Sequence, residues 1–137
     1  AEDDDLDLST LQQGFLASEW AGREPVAQEL PFALSIGQQL IRGRIDAVYR
    51  DDRGYTVVDW KTNASRTADP LQLALYRAAV ATIYKVSLEQ VRACFFYVAR
   101  SETVWVDDRV DVADILARIV ERFAEPVLDS TTSNRDA

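Results

Sequence analysis

The sequence predicts an α/β domain with a central mixed β-sheet flanked by helices. Three observations carry that prediction. Residues 40–49 and 56–62 are strand-like, and Asp51-Asp52-Arg53-Gly54 between them is a turn signal, so they read as an antiparallel hairpin. The second of them contains the near-apolar Val57-Val58, the composition of a strand covered on both faces. A run with helical spacing then opens at Asp69-Pro70 and is followed by the strongly β-prone residues 91–99.

In order along the chain, residues 1–8 are an acidic run that buries little and reads as a linker. Ser9-Thr10-Leu11-Gln12 has the form of a capping box; the helix it starts packs through Leu11 and Phe15 and ends at Ala21-Gly22-Arg23-Glu24-Pro25. Residues 26–36 alternate imperfectly as a strand, and Pro31 argues for an edge or a bulge. Gly37-Gln38 turns into the next strand, in which Arg42, Arg44 and Asp46 fall on one face and Ile41 and Ile45 on the other, while Gly43 leaves room for a neighbouring backbone. Thr62-Asn63-Ala64-Ser65 is a loop. Asp69 caps, and Pro70 opens, a helix to about Tyr84, with Leu71, Leu75, Ala78 and Thr82 in one stripe and Gln72, Tyr76, Ala79 and Ile83 in the next. Ser87-Leu88-Glu89-Gln90 forms a single turn before the interior strand 91–99, whose hairpin partner is 102–106 with Trp105 covering core. Asp111 begins a last helix with an apolar stripe of Val112, Ile115, Leu116, Ile119, Val120 and Phe123, and Pro126 closes it.

The first hairpin has a definite register. Pairing Arg50 with Tyr55 sets Tyr49 opposite Thr56 and Asp46 opposite Asp59, with Asp59 and Lys61 on one face and Trp60 on the other. Carboxylates placed so lie about 5 Å apart at Cβ and repel unless a cation separates them. A hard divalent ion fits, because it takes oxygen ligands and commonly uses one or two protein carboxylates. Lys61 would then orient or deprotonate a water, or hold a phosphate, which completes the parts for metal-assisted attack on a phosphodiester. The competing reading is a surface ion-pair ladder; Val57-Val58 and the helix that follows weigh against it. Gln72 and Tyr76, four apart on that helix, reach one spot near its start, where free N–H groups attract phosphate. The plainer alternative makes Tyr76 a core aromatic with its hydroxyl at the rim. Arg42 and Arg44 would bind a phosphate in bidentate fashion or balance the acids.

Composition narrows the possibilities further. The chain of 137 residues, 47% hydrophobic and 28% charged, is one soluble-type domain. It has neither an apolar run of membrane-span length nor a signal-peptide pattern, so a cytoplasmic setting with no membrane partner is expected. Cys94 lies in the apolar run Ala93-Cys94-Phe95-Phe96 as a buried small hydrophobe; with one Cys and no His, disulfides and Cys–His metal sites are excluded. No Gly-rich phosphate loop with its Lys occurs. The net charge of −8 is unfavourable for binding a polyanion, but Glu2, Asp3, Asp4, Asp5 and Asp7 hold five of those charges and leave −3 for the rest.

Gly43-Arg44-Ile45-Asp46, then Asp59-Trp60-Lys61, then the Q-x-x-x-Y spacing of Gln72 and Tyr76, preceded by Glu29-Leu30-Pro31-Phe32, resemble the PD-(D/E)XK nuclease superfamily. Within it they look most like the RecB-type nuclease domain of bacterial UvrD/Rep-class helicase–nucleases, over residues 15–106. The resemblance implies a restriction-endonuclease-like core in a nuclease domain at 9–126, between the acidic linker 1–8 and a polar tail 127–137. It implies a DNA nuclease dependent on Mg²⁺ or Mn²⁺, acting in double-strand-break repair and recombination. A helicase motor would belong to the same polypeptide or a partner subunit, and any use of ATP to that absent part. By resemblance Asp46 and Asp59, with the Trp60 backbone carbonyl, would ligate the metal, and Lys61 would position water or phosphate. Gln72, Tyr76, Arg42 and Arg44 would contact substrate. The family usually carries a metal-ligating His on a helix upstream of the core, and this chain has none. Either that ligand lies in sequence not present here or this member has lost it. The alternative function is therefore an impaired nuclease fold that guides DNA or docks a subunit.

Overall fold

Three extended segments in succession, β1 (Ala27–Ile36), β2 (Gln39–Asp51) and β3 (Gly54–Lys61), form an antiparallel meander in the computed structural model, which describes residues 8–36, 38–62, 69–106, 117, 118 and 120–122. β4 (Val91–Tyr97) lies parallel to β3, and β5 (Glu102–Trp105) pairs antiparallel with β4, giving the order β1-β2-β3-β4-β5. A parallel neighbour requires a crossover, and α2 (Pro70–Tyr84) supplies it. The result is the mixed sheet with flanking helices that the sequence predicts, and β1 with its Pro31 is an edge strand.

Arg50 pairs with Tyr55 and Tyr49 with Thr56, as the turn signal implies, and Asp51 also pairs with Gly54. The connection is thus shortened to Asp52-Arg53, with Asp51 Oδ1 accepting from the Arg53 amide at 2.8 Å. Asp69 Oδ1 caps α2 by accepting from the Leu71 amide at 3.1 Å, with Pro70 in the first turn. Arg122 reaches the other oxygen of Asp69 at 3.0 Å.

The sheet is covered on both faces. α2 and one set of alternating side chains, among them Ile41, Ile45, Val57, Leu73, Val80, Val91 and Phe95, make the larger core. Trp20, Tyr49, Val58, Cys94 and Phe96 make the other, closed by Leu11 and Phe15 of α1 (Leu8–Leu16). Fully buried Val and Ile side chains of this kind each contribute about 1.5–3 kcal/mol. α1 lies hard against the turn Val98–Arg100: a Cβ on Gly14 would fall 1.7 Å from the Val98 carbonyl oxygen.

Four expectations change. α1 begins at Leu8 and stops at Leu16, short of Ala21, because Ser18 donates its hydroxyl to the Phe15 carbonyl at 2.6 Å and accepts from the Trp20 amide at 3.2 Å, bonds that replace further helical turns. The core face of α2 is Leu73, Tyr76, Arg77 and Val80 with Leu75 and Ala79, whereas Thr82 and Ile83 are exposed. An apolar count misses that face because Arg77 lies on it, donating from Nε to the Val91 carbonyl at 2.6 Å and from Nη2 to the Leu88 carbonyl at 2.7 Å. β4 ends at Tyr97, and residues 98–100 turn instead. Trp105, expected over core, is 41% exposed on the edge strand, with the Arg92 guanidinium 4.2 Å from its ring centroid. Gly37, residues 63–65, most of the expected last helix and both end segments lie outside the described residues, although Val120 is half-buried.

Candidate active site

The site is built where β2 leaves β3. Their pairing runs from Asp51↔Gly54 to Ala47↔Val58, while β2 continues with β1 as far as Gln39↔Ile36. At that fork the in–out alternation slips by one residue. Ile41, Ile45 and Val48 all face the α2 core, and Ala47 and Tyr49 face the other. β1 slips at the same level, between the pairs Gln28↔Ala47 and Leu30↔Ile45, where Glu29 takes a left-handed φ of 50°.

The slip frees Asp46 from both faces. Its Oδ2 accepts the Trp60 amide at 2.9 Å, so a side chain holds a strand donor that the Ile45 carbonyl would have taken in an unbroken ladder. Trp60 itself is fixed by its ring on the far face, edge-on to Phe15 at 5.8 Å and to Phe96 at 5.7 Å. Asp59, the next residue toward the fork, is 8% exposed and faces the α2 core with Lys61. The Lys61 ammonium lies 3.0 Å from Asp59 Oδ2 and 5.4 Å from the centroid of Phe95. Among the described residues that buried oxygen accepts no hydrogen bond, and the ammonium is its ion-pair partner. Burial, and then the neighbouring Asp59, push the Asp46 carboxyl up to about 6 against the opposing pull of the Trp60 amide.

Tyr76 comes to the same place from α2. Its hydroxyl is pushed up to about 12, first by burial and then by the charges of Asp59 and Asp46, so it remains a proton donor beside them. Its ring meets Phe32 edge-on at 5.7 Å. Phe32 lies over Gly43, where a Cβ would be 2.7 Å from Phe32 Cζ; the close neighbour is a ring and not the backbone expected from the sequence. Gln72 is half-buried one turn before Tyr76.

Asp46, Asp59, Lys61 and Tyr76 thus converge, with the Trp60 peptide among them. Arg42 and Arg44 do not. The slip at Asp46 leaves both exposed on the face opposite Ile41 and Ile45, and Arg44 Nη1 lies 3.5 Å from the Glu29 carbonyl oxygen. Sequence reasoning missed the Trp60 amide and the Phe32–Gly43 support of Tyr76. The Glu29-x-Pro31-Phe32 run was the only available signal, since strict alternation forbids the first and Glu carries no preference for left-handed backbone.

The donor set suits a hard cation. Two crowded carboxylates, one with a buried oxygen that accepts no hydrogen bond, are what Mg²⁺ commonly takes from a protein, leaving its other positions to water and phosphate. Among the described residues no cluster of three or more His, Cys, Asp or Glu completes a cage. Also among them, no helix is long and apolar enough to cross a membrane.

A family model, that of the PD-(D/E)XK nuclease superfamily, matches residues 8–136, and the chain belongs to that superfamily. The five-stranded mixed sheet with its helices is the restriction-endonuclease-like α/β fold of such nucleases. No curated protein matches the chain.

Proposed function

We propose that the chain is a divalent-metal-dependent DNA nuclease domain of the RecB branch, working in the cytoplasm beside a UvrD/Rep-like helicase motor in double-strand-break repair. The observation that carries the nuclease reading is the Asp59 oxygen, buried without a hydrogen bond beside the Asp46 carboxyl and the Lys61 ammonium. The order of the G-R-I-D, D-W-K and Q-x-x-x-Y motifs supports the branch, and with it the helicase partner.

When bound, Mg²⁺ or Mn²⁺ supplies charge stabilisation to a phosphodiester and acidity to a water. Asp46 and Asp59, with the Trp60 carbonyl, would hold the ion, and the Trp60 amide keeps Asp46 turned into the fork. Lys61 orients the water or binds a phosphate oxygen. Tyr76 donates its hydroxyl to substrate, and Gln72 adds a contact from the same end of α2. Arg42 and Arg44 meet DNA only along the outer face of the β1–β2 arm.

A second reading is a nuclease fold kept for guiding DNA or docking a subunit, favoured by the absence of His from the 137 residues. Metal binding separates the two. Mn²⁺ calorimetry on the 137-residue chain should give weak binding, because two carboxylates displace little of the ion's hydration. Asp46→Ala and Asp59→Ala should each abolish it, together with any Mg²⁺-dependent cleavage of linear DNA. No binding by the parent chain, or undiminished binding in both variants, refutes the metal site. Efficient cleavage by residues 1–137 at physiological salt would show that no His is needed.

A further inference from the structure

Next to Lys61 the sheet carries a stacked cation that the chemistry above does not use. Lys61 is level with Tyr97 across β3 and β4, and Tyr97 with Glu102 across β4 and β5. These three residues form a row at the Asp59–Lys61 end of the sheet. Arg100, in the turn that follows β4, lays its guanidinium 4.3 Å from the centroid of the Tyr97 ring and donates from Nε to Glu102 Oε1 at 3.0 Å. The Arg100 and Glu102 side chains are about half exposed.

Stacking fixes the plane of the guanidinium while its edge keeps several N–H donors for other acceptors, which a lysine in the same position would not achieve. The ion pair to Glu102 is of the exposed kind that holds weakly, so a phosphate can share or displace it. In a chain of net charge −8, a polyanion is retained only where cations are concentrated, and Arg100 stands one strand from Lys61. A second stack of the same chemistry, Arg92 over Trp105, serves as an internal control: Trp105 is level with Cys94 and touches Trp20, so that stack lies on the opposite face, away from the carboxylates.

We propose that Arg100, stacked on Tyr97, takes a phosphate of the DNA strand that crosses the Asp59–Lys61 end of the sheet, and that Glu102 holds the guanidinium in place when no DNA is bound. This rests on the nuclease reading and adds a substrate contact to it.

The test is fluorescence anisotropy of a labelled oligonucleotide with the 137-residue chain in Ca²⁺, over a range of salt. Arg100→Ala should raise Kd about five-fold near 50 mM salt and lower the slope of log affinity against log salt by about one. Arg100→Lys should keep the slope and weaken binding less. Glu102→Gln, which frees the guanidinium, should tighten binding, and Arg92→Ala should leave both quantities unchanged. An unchanged slope in Arg100→Ala, or an equal loss in Arg92→Ala, overturns the assignment and leaves the nuclease reading standing. A parent chain that binds no DNA even at low salt overturns both.

Discussion

Replacing Gly43 with alanine tests how the β1–β2 arm supports the site. The new Cβ would lie 2.7 Å from Phe32 Cζ and 2.8 Å from Cε2. Carbon atoms pack best at about 3.5–4.0 Å, so the ring must retreat by about 1 Å. The ring tip of an exposed side chain would do so at little cost, but Phe32 is 8% exposed and has the Tyr76 ring edge-on at 5.7 Å. Overpacking of this kind costs about 1–3 kcal/mol, and the stiffer unfolded chain returns about 0.4–1 kcal/mol. The net loss is about 1 kcal/mol, or about 4 °C in Tm for a domain of this size. Urea and thermal melts of the metal-free chain read it directly. Adding Phe32→Leu removes the colliding ring atoms, so the double variant should cost about 1 kcal/mol less than the sum of the two single changes. A Gly43→Ala variant as stable as the parent, or strictly additive costs, would refute the packing chain from Gly43 through Phe32 to Tyr76.

The Asp46 carboxyl titrates near 6 in the folded chain against 3.8 ordinarily, so between those values the folded state holds the extra proton. Stability of the metal-free protein should therefore fall as pH rises from about 4 to about 6 and then level off, and Asp46→Asn should remove the slope; urea midpoints across that range check it. Protons compete with the cation for the same oxygen, so Mn²⁺ affinity should drop below about pH 6. In EDTA at neutral pH, Asp46→Asn should melt at or above the parent, because it relieves repulsion with Asp59, whereas Asp59→Ala, which strands the nearly buried Lys61 ammonium, should melt below it; Asp46→Asn melting well below the parent would make that carboxylate a structural partner. Lys61→Ala should reduce cleavage more than Mn²⁺ affinity in calorimetry, since the ammonium repels the ion and helps only the reacting complex. A collapse of affinity would contradict its assigned role.

Where local signals act within a few residues, the sequence was a sufficient guide. The Asp51–Gly54 turn set the Arg50↔Tyr55 register, and Asp69-Pro70 set the start of α2. Extending that register by alternation fails four residues later, at Asp46, because Ala47-Val48-Tyr49 is apolar on both faces and hides the change of parity between Ile45 and Val48. The same extrapolation put Arg42 and Arg44 beside the carboxylates. The convergence of Asp46 and Asp59 was legible in spite of the slip, since the slipped carboxyl still turns toward β3 and takes the Trp60 amide. Arg77 shows the complementary limit: a charged residue counts as surface until the two carbonyls it serves are known, and those lie 11 and 14 residues further along, in the turn before β4 and in β4 itself.

The fork has a mechanical consequence. Beyond it, β1 and β2 continue as a two-stranded arm from Leu30 to Ile36, about 20 Å long at the rise of a strand. Phe32 and Leu34 of β1 and Ile41 of β2 are buried in the core against α2, so the arm is clamped along its length and does not hang free. Asp46 sits at the root of the arm, pinned to the Trp60 amide. The Asp46 carboxyl is thereby braced from two directions, by an amide of β3 and by an arm whose Phe32 ring seats the Tyr76 side chain, so a change anywhere along the arm's inner face reaches the site through packing.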